Sequence, residues 1–331
     1  MEMRQLGKTR LHVSRMGLGL AALGRPGYIN LGHAEDLQEE YDPAEMEERA
    51  HAVLDEAYRG GMRYFDAARS YGKAEAFLSS WIRQHGFSPG EICVGSKWGY
   101  TYTAGWDPDA EVHEVKEHSI SVLKRQWAES QQLGAHLGLY QIHSATLETG
   151  VLEDTAVLNE LARLKWKEGI VIGLTVSGSQ QAAVIERAMD VQVSGERLFD
   201  TVQATWNLLE RSCGSILQAA SQAGMGVIVK EALANGRLTD RNNMPAFKPQ
   251  AQLLQQEAER LDTGVDALAL AVVLAQPWVD VVLSGAARSD HLRSNLQALR
   301  VKWDKQAAAN LAALEETPVQ YWQIRSSLAW N

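Results

Sequence analysis

Residues 137–175 read LGLYQIHSATLETGVLEDTAVLNELARLKWKEGIVIGLT, and this stretch decides the fold class. Its two ends, Leu137 to His143 and Ile170 to Thr175, are short and almost continuously apolar, as is typical of parallel strands buried on both faces. Residues 154–168 between them repeat valine and leucine with helical spacing. Asp154 is suited to cap the start of this helix and Gly169 to end it. The stretch therefore predicts a strand–helix–strand unit.

The same rhythm recurs along the whole chain of 331 residues. The eight apolar runs are Met16 to Ala21, Met62 to Ala67, Ile92 to Ser96, Leu137 to His143, Ile170 to Thr175, Thr201 to Thr205, Gly226 to Lys230 and Val279 to Ser284. Eight strand-then-helix units predict an α/β fold of the (β/α)8 TIM-barrel type, as a single domain over residues 1–331. An open doubly wound sheet is the alternative. Such a sheet would be expected to carry a GxGxxG fingerprint after its first strand. Residues 17–27 read GLGLAALGRPG and do not contain this fingerprint.

Three further segments are predicted to decorate the barrel. Residues 1–15 form an N-terminal hairpin with its turn at Gly7 to Thr9, which could plug the bottom of the barrel. Residues 22–42 are an insertion after the first strand, on the side where barrel loops build active sites. The chain after Arg300 is a C-terminal extension whose tryptophans must cover part of the surface.

Composition narrows the class of protein. A net charge of −9 without any basic run disfavours nucleic acid as a partner. No stretch of about 20 apolar residues is present to span a membrane, and the start of the sequence has no apolar signal segment. Cys93 and Cys213 form neither a disulfide framework nor a zinc motif, so a reducing, cytoplasmic location is the simplest expectation. The oligomeric state is left open.

Chemistry in such a barrel takes place at the carboxyl ends of the strands. The second predicted strand ends at Asp66 and is followed by Tyr71. The third ends at Lys97 and the fourth at His143. Three consecutive strands thus each bring an ionisable group to the mouth, in otherwise apolar surroundings.

These residues stand in stretches that resemble the aldo-keto reductases. FDAARSYG (65–72), VGSKWG (94–99) and LYQIH (139–143) occur in the order and approximate spacing of that family's catalytic tetrad. The resemblance also covers the opening RQLGKTRLHVSRMGLG, the segments GLTVSGS and VQATWNLLER, and SGAARSDHLRSNL near the end, so it spans nearly the whole chain.

The resemblance implies reduction of an aldehyde or a ketone to an alcohol by hydride transfer from NADPH. Tyr71 would be the general acid, because a phenol with a pKa of about 10 is still protonated at neutral pH. Lys97 would lower that pKa, Asp66 would hold Lys97, and His143 would orient the carbonyl. The substrate would be a small carbonyl compound, of a kind the sequence does not name.

The resemblance also implies an NADP site. Ser284, Gly285 and Ala286 would hold the pyrophosphate at the start of a helix, and Arg288 would pair with the 2′-phosphate. Asn295 matches the position that contacts adenine. Gln203 and Thr175 match positions that contact the nicotinamide carboxamide.

Two positions depart from the family pattern. Val176 follows Thr175 where many members have Asn after Ser. Lys230 ends the seventh strand, where many members have an aromatic residue that stacks on the nicotinamide. Lys230 could instead contact a cofactor phosphate.

Aromatic residues in a loop just after Lys97 could form a wall for an apolar or ring-shaped aldehyde; they are Trp98, Tyr100, Tyr102 and Trp106.

Two other functions are considered. The first is a barrel that binds NADPH as a regulatory or channel-associated subunit with little turnover. The second is a metal-dependent barrel isomerase or hydrolase. His113 and His118 are predicted to lie on a helix rather than at a strand end, and no set of metal ligands converges at the mouth, so no metal is expected.

Overall fold

Eight parallel strands close into a barrel in the computed structural model, which describes residues 1–331. The strands are β1 (Met16–Gly19), β2 (Tyr64–Asp66), β3 (Cys93–Trp98), β4 (Leu137–Ala145), β5 (Val171–Val176), β6 (Thr201–Thr205), β7 (Gly226–Lys230) and β8 (Val281–Ser284). The ring closes where β8 pairs with β1, with Val282 beside Met16 and Ser284 beside Leu18. The predicted (β/α)8 barrel is confirmed, and each of the eight apolar runs overlaps one strand.

A helix follows each strand and covers the outside of the barrel. These helices are α1 (Pro43–Arg59), α2 (Ala74–His85), α3 (Ile120–Ser130), α4 (Thr155–Arg163), α5 (Gln181–Met189), α6 (Gly214–Gln222), α7 (Val265–Leu274) and α8 (Ser289–Leu296). Additional helices span His33–Leu37, Lys248–Arg260, Lys305–Asn310 and Pro318–Ser327. None of the helices is long and apolar enough to cross a membrane.

Local sequence explains the bounds of α4. The Asp154 carboxylate accepts hydrogen bonds from the backbone N–H groups of Ala156 and Val157 and so begins the helix. After Arg163 the backbone widens into one π-helical turn. Gly169, at φ +70°, then ends the helix in the left-handed region that favours glycine.

The N-terminal hairpin closes the amino-terminal end of the barrel. Residues 3–5 pair antiparallel with residues 12–14, and Leu6 between them is completely buried. The Gly7 N–H donates to the Asp280 carboxylate at 3.2 Å, just before β8. A Cβ on Gly7 would lie 2.3 Å from the backbone nitrogen of Gly226 at the start of β7, so only glycine fits this turn. The predicted plug is therefore present.

The opposite mouth is surrounded by three segments. They are the insertion after β1, a hairpin of Tyr100–Tyr102 with Glu114–Lys116, and the C-terminal tail. The tail returns to the insertion, since the backbone N–H of Tyr28 donates to Asn331 at 3.0 Å.

The prediction that His113 and His118 lie on a helix is wrong. His113 directly precedes the strand Glu114–Lys116, and His118 directly precedes Ser119, the cap of α3. The Gln126 side chain accepts from the Gly99 N–H at 2.8 Å and donates to the Tyr100 carbonyl at 2.9 Å. These contacts tie the segment between β3 and α3 to α3, which local sequence patterns do not reveal.

Candidate functional site

The carboxyl ends of β2 and β3 bring Asp66 and Lys97 into direct contact. The Lys97 ammonium donates to the Asp66 carboxylate, and also to the Ala67 carbonyl at 2.9 Å. Lys97 is completely buried and Asp66 is almost completely buried. Because a buried ammonium is stable only when it is paired, this contact gives Lys97 a fixed position.

Asp66 also accepts hydrogen bonds from neutral donors within the barrel. The Tyr64 hydroxyl lies 3.1 Å from Asp66 Oδ1, and Gln203 Nε2 on β6 lies 3.0 Å from the same atom. Gln203 therefore supports the Asp66–Lys97 pair, and it also lines the cavity described below.

Tyr71 lies beside this pair. Its ring centroid is 4.8 Å from Lys97 Nζ, and its ring meets that of His143 edge-on at 5.5 Å. Burial, followed by the negative charge of Asp66, raises the pKa of Tyr71 well above its ordinary value. The shift is thus opposite in direction to the lowering expected from Lys97, and the cation that opposes the rise is Arg25. The phenol is therefore a hydrogen-bond donor at neutral pH.

His143 is held on a bulge of β4. Ser144 adopts φ +51°, and its N–H donates to Thr175 Oγ1 at 2.7 Å, while His118 Nε2 lies 2.9 Å from the His143 carbonyl. Burial and the charge of Lys97 lower the pKa of His143 well below its ordinary value. The imidazole is therefore neutral and retains one N–H donor.

Lys230 ends β7 at the same mouth. Its ammonium donates to Thr205 Oγ1 at 2.8 Å and to Ser177 Oγ at 3.1 Å, and lies 4.0 Å from Glu231 Oε1. Glu231 is in turn paired with Arg325 of the C-terminal tail at 2.7 Å. Burial lowers the pKa of Lys230 to about 8, against the opposing effect of Glu231.

One cavity of about 510 Å³ joins these groups to the segment ahead of α8. Asp66, Tyr71 and His143 line one part of it, and Ser284 to Ala287 line another. A Cβ on Gly285 would meet nothing within 4 Å, so there is space against the backbone there. Asn295 Nδ2 on α8 donates to Ser284 Oγ at 2.9 Å. A helix N-terminus that opens on such a space fits the phosphates of a dinucleotide.

Arg288 lies outside the lining of this cavity. Its guanidinium forms two parallel hydrogen bonds with the Asp290 carboxylate, at 3.0 and 3.1 Å, on the exposed start of α8. The basic side chains that line the cavity nearby are instead Arg241 and His291, both in contact with Asp36 of the insertion.

A model of the aldo/keto reductase family matches residues 15–316. The chain belongs to the aldo/keto reductase family. It is an oxidoreductase, and its family acts on small-molecule carbonyl compounds. Membership of this family implies a nicotinamide cofactor.

Relatives agree with this assignment along most of the chain. An uncharacterized oxidoreductase of Bacillus subtilis, YqkF, is 24% identical and covers 91% of this chain and 92% of its own. Norsolorinic acid reductase of Aspergillus flavus is 25% identical and covers 75% of this chain and 66% of its own. An aldo-keto reductase from Bacillus halodurans, solved in its holo form, has the same fold with a TM-score of 0.74, 22% identity and coverage of 97% and 99%.

Sequence reasoning about this aldo/keto reductase missed several residues that line the cavity. They are Arg25, Tyr28, Glu114, Glu231, Arg325 and Trp330. Most of them come from the insertion, the hairpin and the tail, whose positions depend on tertiary contacts.

Of the four aromatic residues proposed as a wall, Tyr100 lines the cavity, and Trp98, Tyr102 and Trp106 do not.

Proposed function

We propose that this protein reduces an aldehyde or a ketone to an alcohol by hydride transfer from NADPH, with Tyr71 as the general acid. The observation that carries the proposal is the meeting of a protonated Tyr71, the Lys97–Asp66 pair and a neutral His143 at one part of a cavity. Another part of the same cavity opens on the segment before α8, which suits phosphates.

Tyr71, His143, Lys97 and Asp66 each have a distinct role in the proposed reduction. Hydride addition to a carbonyl develops negative charge on its oxygen, and Tyr71 gives that oxygen its phenolic proton. His143 orients the carbonyl through its remaining N–H. Lys97 stabilises the charge that forms as the Tyr71 proton leaves, and Asp66, fixed by Tyr64 and Gln203, keeps Lys97 in position. NADPH supplies the hydride when bound.

The cofactor-binding residues are proposed on the same basis. Ser284, Gly285 and Ala286 would hold the pyrophosphate, with Asn295 toward the adenine. Gln203 and Lys230 line the cavity and would contact the nicotinamide, although Lys230 already donates to neighbouring hydroxyls. Thr175, proposed for the carboxamide, is completely buried outside this lining, and its hydroxyl accepts from the Ser144 N–H. We further propose one domain over residues 1–331 and a cytoplasmic location, supported by the free thiols of Cys93 and Cys213.

Turnover is the test that separates an enzyme from a regulatory subunit. The purified protein is mixed with NADPH and a panel of aldehydes, ketones, sugars and pyridoxal, and the absorbance of NADPH is followed. We expect oxidation of NADPH with at least one carbonyl compound. Tight NADPH binding without any oxidation would favour the regulatory subunit instead.

Removal of Arg288 is expected to weaken the binding of NADPH much more than the binding of NADH, because only NADPH carries a 2′-phosphate that a guanidinium can pair with. A charge-assisted hydrogen bond is worth about 1.5–3 kcal/mol, which is roughly 10- to 150-fold in affinity. Asp290 competes for the same guanidinium, so Asp290→Asn should strengthen the binding of NADPH. Titration of both cofactors, followed by quenching of tryptophan fluorescence, measures the ratio of the NADPH affinity to the NADH affinity.

Arg293→Ala is the matched control for Arg288→Ala, since Arg293 lies on the same helix and pairs with Glu56 of α1. Arg241→Ala and Lys230→Ala complete the series, because these two cations line the cavity. An unchanged NADPH-to-NADH ratio in Arg288→Ala, with a fall in either of the other variants, would reassign the phosphate contact.

The rate of reduction is expected to fall as the pH rises through about 8. Lys230, whose pKa is lowered to about 8, loses its positive charge there, and with it the attraction for the developing oxyanion. We expect kcat/KM to drop about threefold to tenfold between pH 7 and 9. Tyr71 does not contribute in this window, because its pKa is raised well above 10.

Lys230→Met should abolish this step in the pH profile. Lys116→Met is the control, since burial also lowers the pKa of Lys116, which lies 5.6 Å from the Tyr100 ring. If the step in the pH profile persists in Lys230→Met but disappears in Lys116→Met, the titrating group is Lys116 in the hairpin and not Lys230.

A further inference from the structure

Arg25 is a buried cation that the proposed chemistry leaves unused. It lies in the insertion after β1, its side chain is only 3% exposed, and it lines the cavity beside Tyr71. Both of its hydrogen bonds use the same nitrogen, Nη1, which donates to Glu114 Oε2 at 2.8 Å and to the Ser70 carbonyl at 3.0 Å. Nε is buried and has no partner in the protein.

Three aromatic rings hold this guanidinium in place. Its Cζ atom lies 5.2 Å from the ring centroid of Tyr71, 5.4 Å from that of Tyr28 and 4.8 Å from that of Trp330. Rings around the group fix its orientation without using its N–H donors. The Nε–Nη2 edge, which makes no hydrogen bond in the protein, is thus preorganised, and this is the edge that receives a carboxylate through two parallel hydrogen bonds.

The carboxylates closest to Arg25 are mostly engaged by other cations. Near Tyr71 the lining cations are Arg25, Lys230 and Arg325, and the lining carboxylates are Asp66, Glu114 and Glu231. Asp66 is paired with Lys97, and Glu231 is paired with Arg325. Arg25 has Glu114 as its single carboxylate partner, which leaves its Nε without a hydrogen bond.

We propose that Arg25 binds a carboxylate of the substrate, so that the compounds reduced at Tyr71 are carbonyl compounds that also carry a carboxylate. The proposal rests on the proposed function for its reaction, but the binding step does not need turnover. Because Arg25 packs against the ring of Tyr71, both groups face the same part of the cavity. A molecule whose carbonyl reaches the Tyr71 hydroxyl then places a second group near Arg25.

Matched pairs of substrates test the specificity. The probes are 2-, 3- and 4-carboxybenzaldehyde, each compared with the corresponding carbamoylbenzaldehyde, which has the same shape and no charge. For at least one pair we expect kcat/KM to favour the carboxylate by about 10-fold or more. The ratio within a pair cancels any effect that a substitution at Arg25 has on Tyr71 itself.

Two substitutions should move this ratio in opposite directions. Arg25→Met removes the guanidinium and should abolish the preference. Glu114→Gln removes the carboxylate that partly neutralises Arg25 and should increase it. Arg25→Met with Glu114→Gln leaves no unpaired charge behind, so this double variant provides the same test if the single variant fails to fold. A preference absent from the wild type, or retained without Arg25, would overturn the proposal.

Calorimetry with benzoate separates this proposal from the proposed function. Benzoate has the carboxylate but no carbonyl to reduce, and benzamide is its uncharged control. We expect benzoate to bind the wild type at least about 10-fold more tightly than it binds the double variant, and benzamide to show no such difference. That result supports the carboxylate site even if no aldehyde is reduced. Equal binding of benzoate by both proteins would overturn the site even if aldehydes are reduced.

Discussion

Replacement of Tyr71 by Phe is expected to lower kcat for carbonyl reduction by about 100-fold or more, because the proton donor is lost while the ring remains. The ring still packs against Arg25 and His143, so the shape of the cavity is kept. NADPH binding should change little, since the phenol is not among the residues proposed to hold the cofactor. Steady-state rates and a cofactor titration on the same preparation measure both quantities.

Tyr100→Phe is the matched control for this experiment. Tyr100 is a second phenol that lines the cavity, and its ring centroid lies 4.8 Å from that of His143. Loss of its hydroxyl should have a far smaller effect than loss of the Tyr71 hydroxyl. Near-normal activity in Tyr71→Phe, with a large loss of activity in Tyr100→Phe, would mean that Tyr100 and not Tyr71 is the general acid.

Substitutions of Lys97 and Asp66 are expected to be strongly non-additive. Lys97→Met removes the charge next to Tyr71 and should lower kcat by about 100-fold. Asp66→Asn should have a smaller effect, because Asp66 acts on the reaction only through the position of Lys97. Once Lys97 is absent, the Asp66 substitution should cost little more activity.

A double-mutant cycle measures this coupling. Rates are compared for the wild type, the two single variants and the double variant, and the fold of each is checked by thermal unfolding. The check matters because Lys97→Met leaves the buried Asp66 carboxylate with neutral donors alone, which are Tyr64, Gln203 and, at 3.5 Å, Gln141. Losses of activity that multiply independently would mean that the two residues do not act as one unit.

The barrel could be predicted because its information is local. A strand buried on both faces needs a continuous apolar run, and the helix that follows needs an apolar stripe, a cap and a stop. Residues 137–175 contain all of these: α4 begins at the cap provided by Asp154, and the π-helical turn that follows it ends at Gly169. The hairpin after β3 escaped prediction because it depends on Gln126, a helix residue 26 positions away from Tyr100.

In the candidate site, too, some features could be predicted from local sequence and others could not. Asp66, Lys97 and His143 could be placed because a closed barrel gathers the carboxyl ends of neighbouring strands at one mouth. The orientation of side chains was not predictable, since Arg288 turns to Asp290 and Thr175 accepts from Ser144. Arg25 escaped notice because its surroundings come from three distant segments: the residues after β2 with Tyr71, the hairpin at Glu114 and the tail at Trp330.

The way the ring closes has a consequence for how the protein folds during synthesis. The first barrel strand bonds to the eighth, and the turn at Gly7 bonds to Asp280, which lies 273 residues further along the chain. Without β8, a sheet of the seven earlier strands would have two open edges, and open edges are prone to pair with other chains. Closure of the barrel therefore requires contacts of high sequence separation, and we expect it to be a late event in folding.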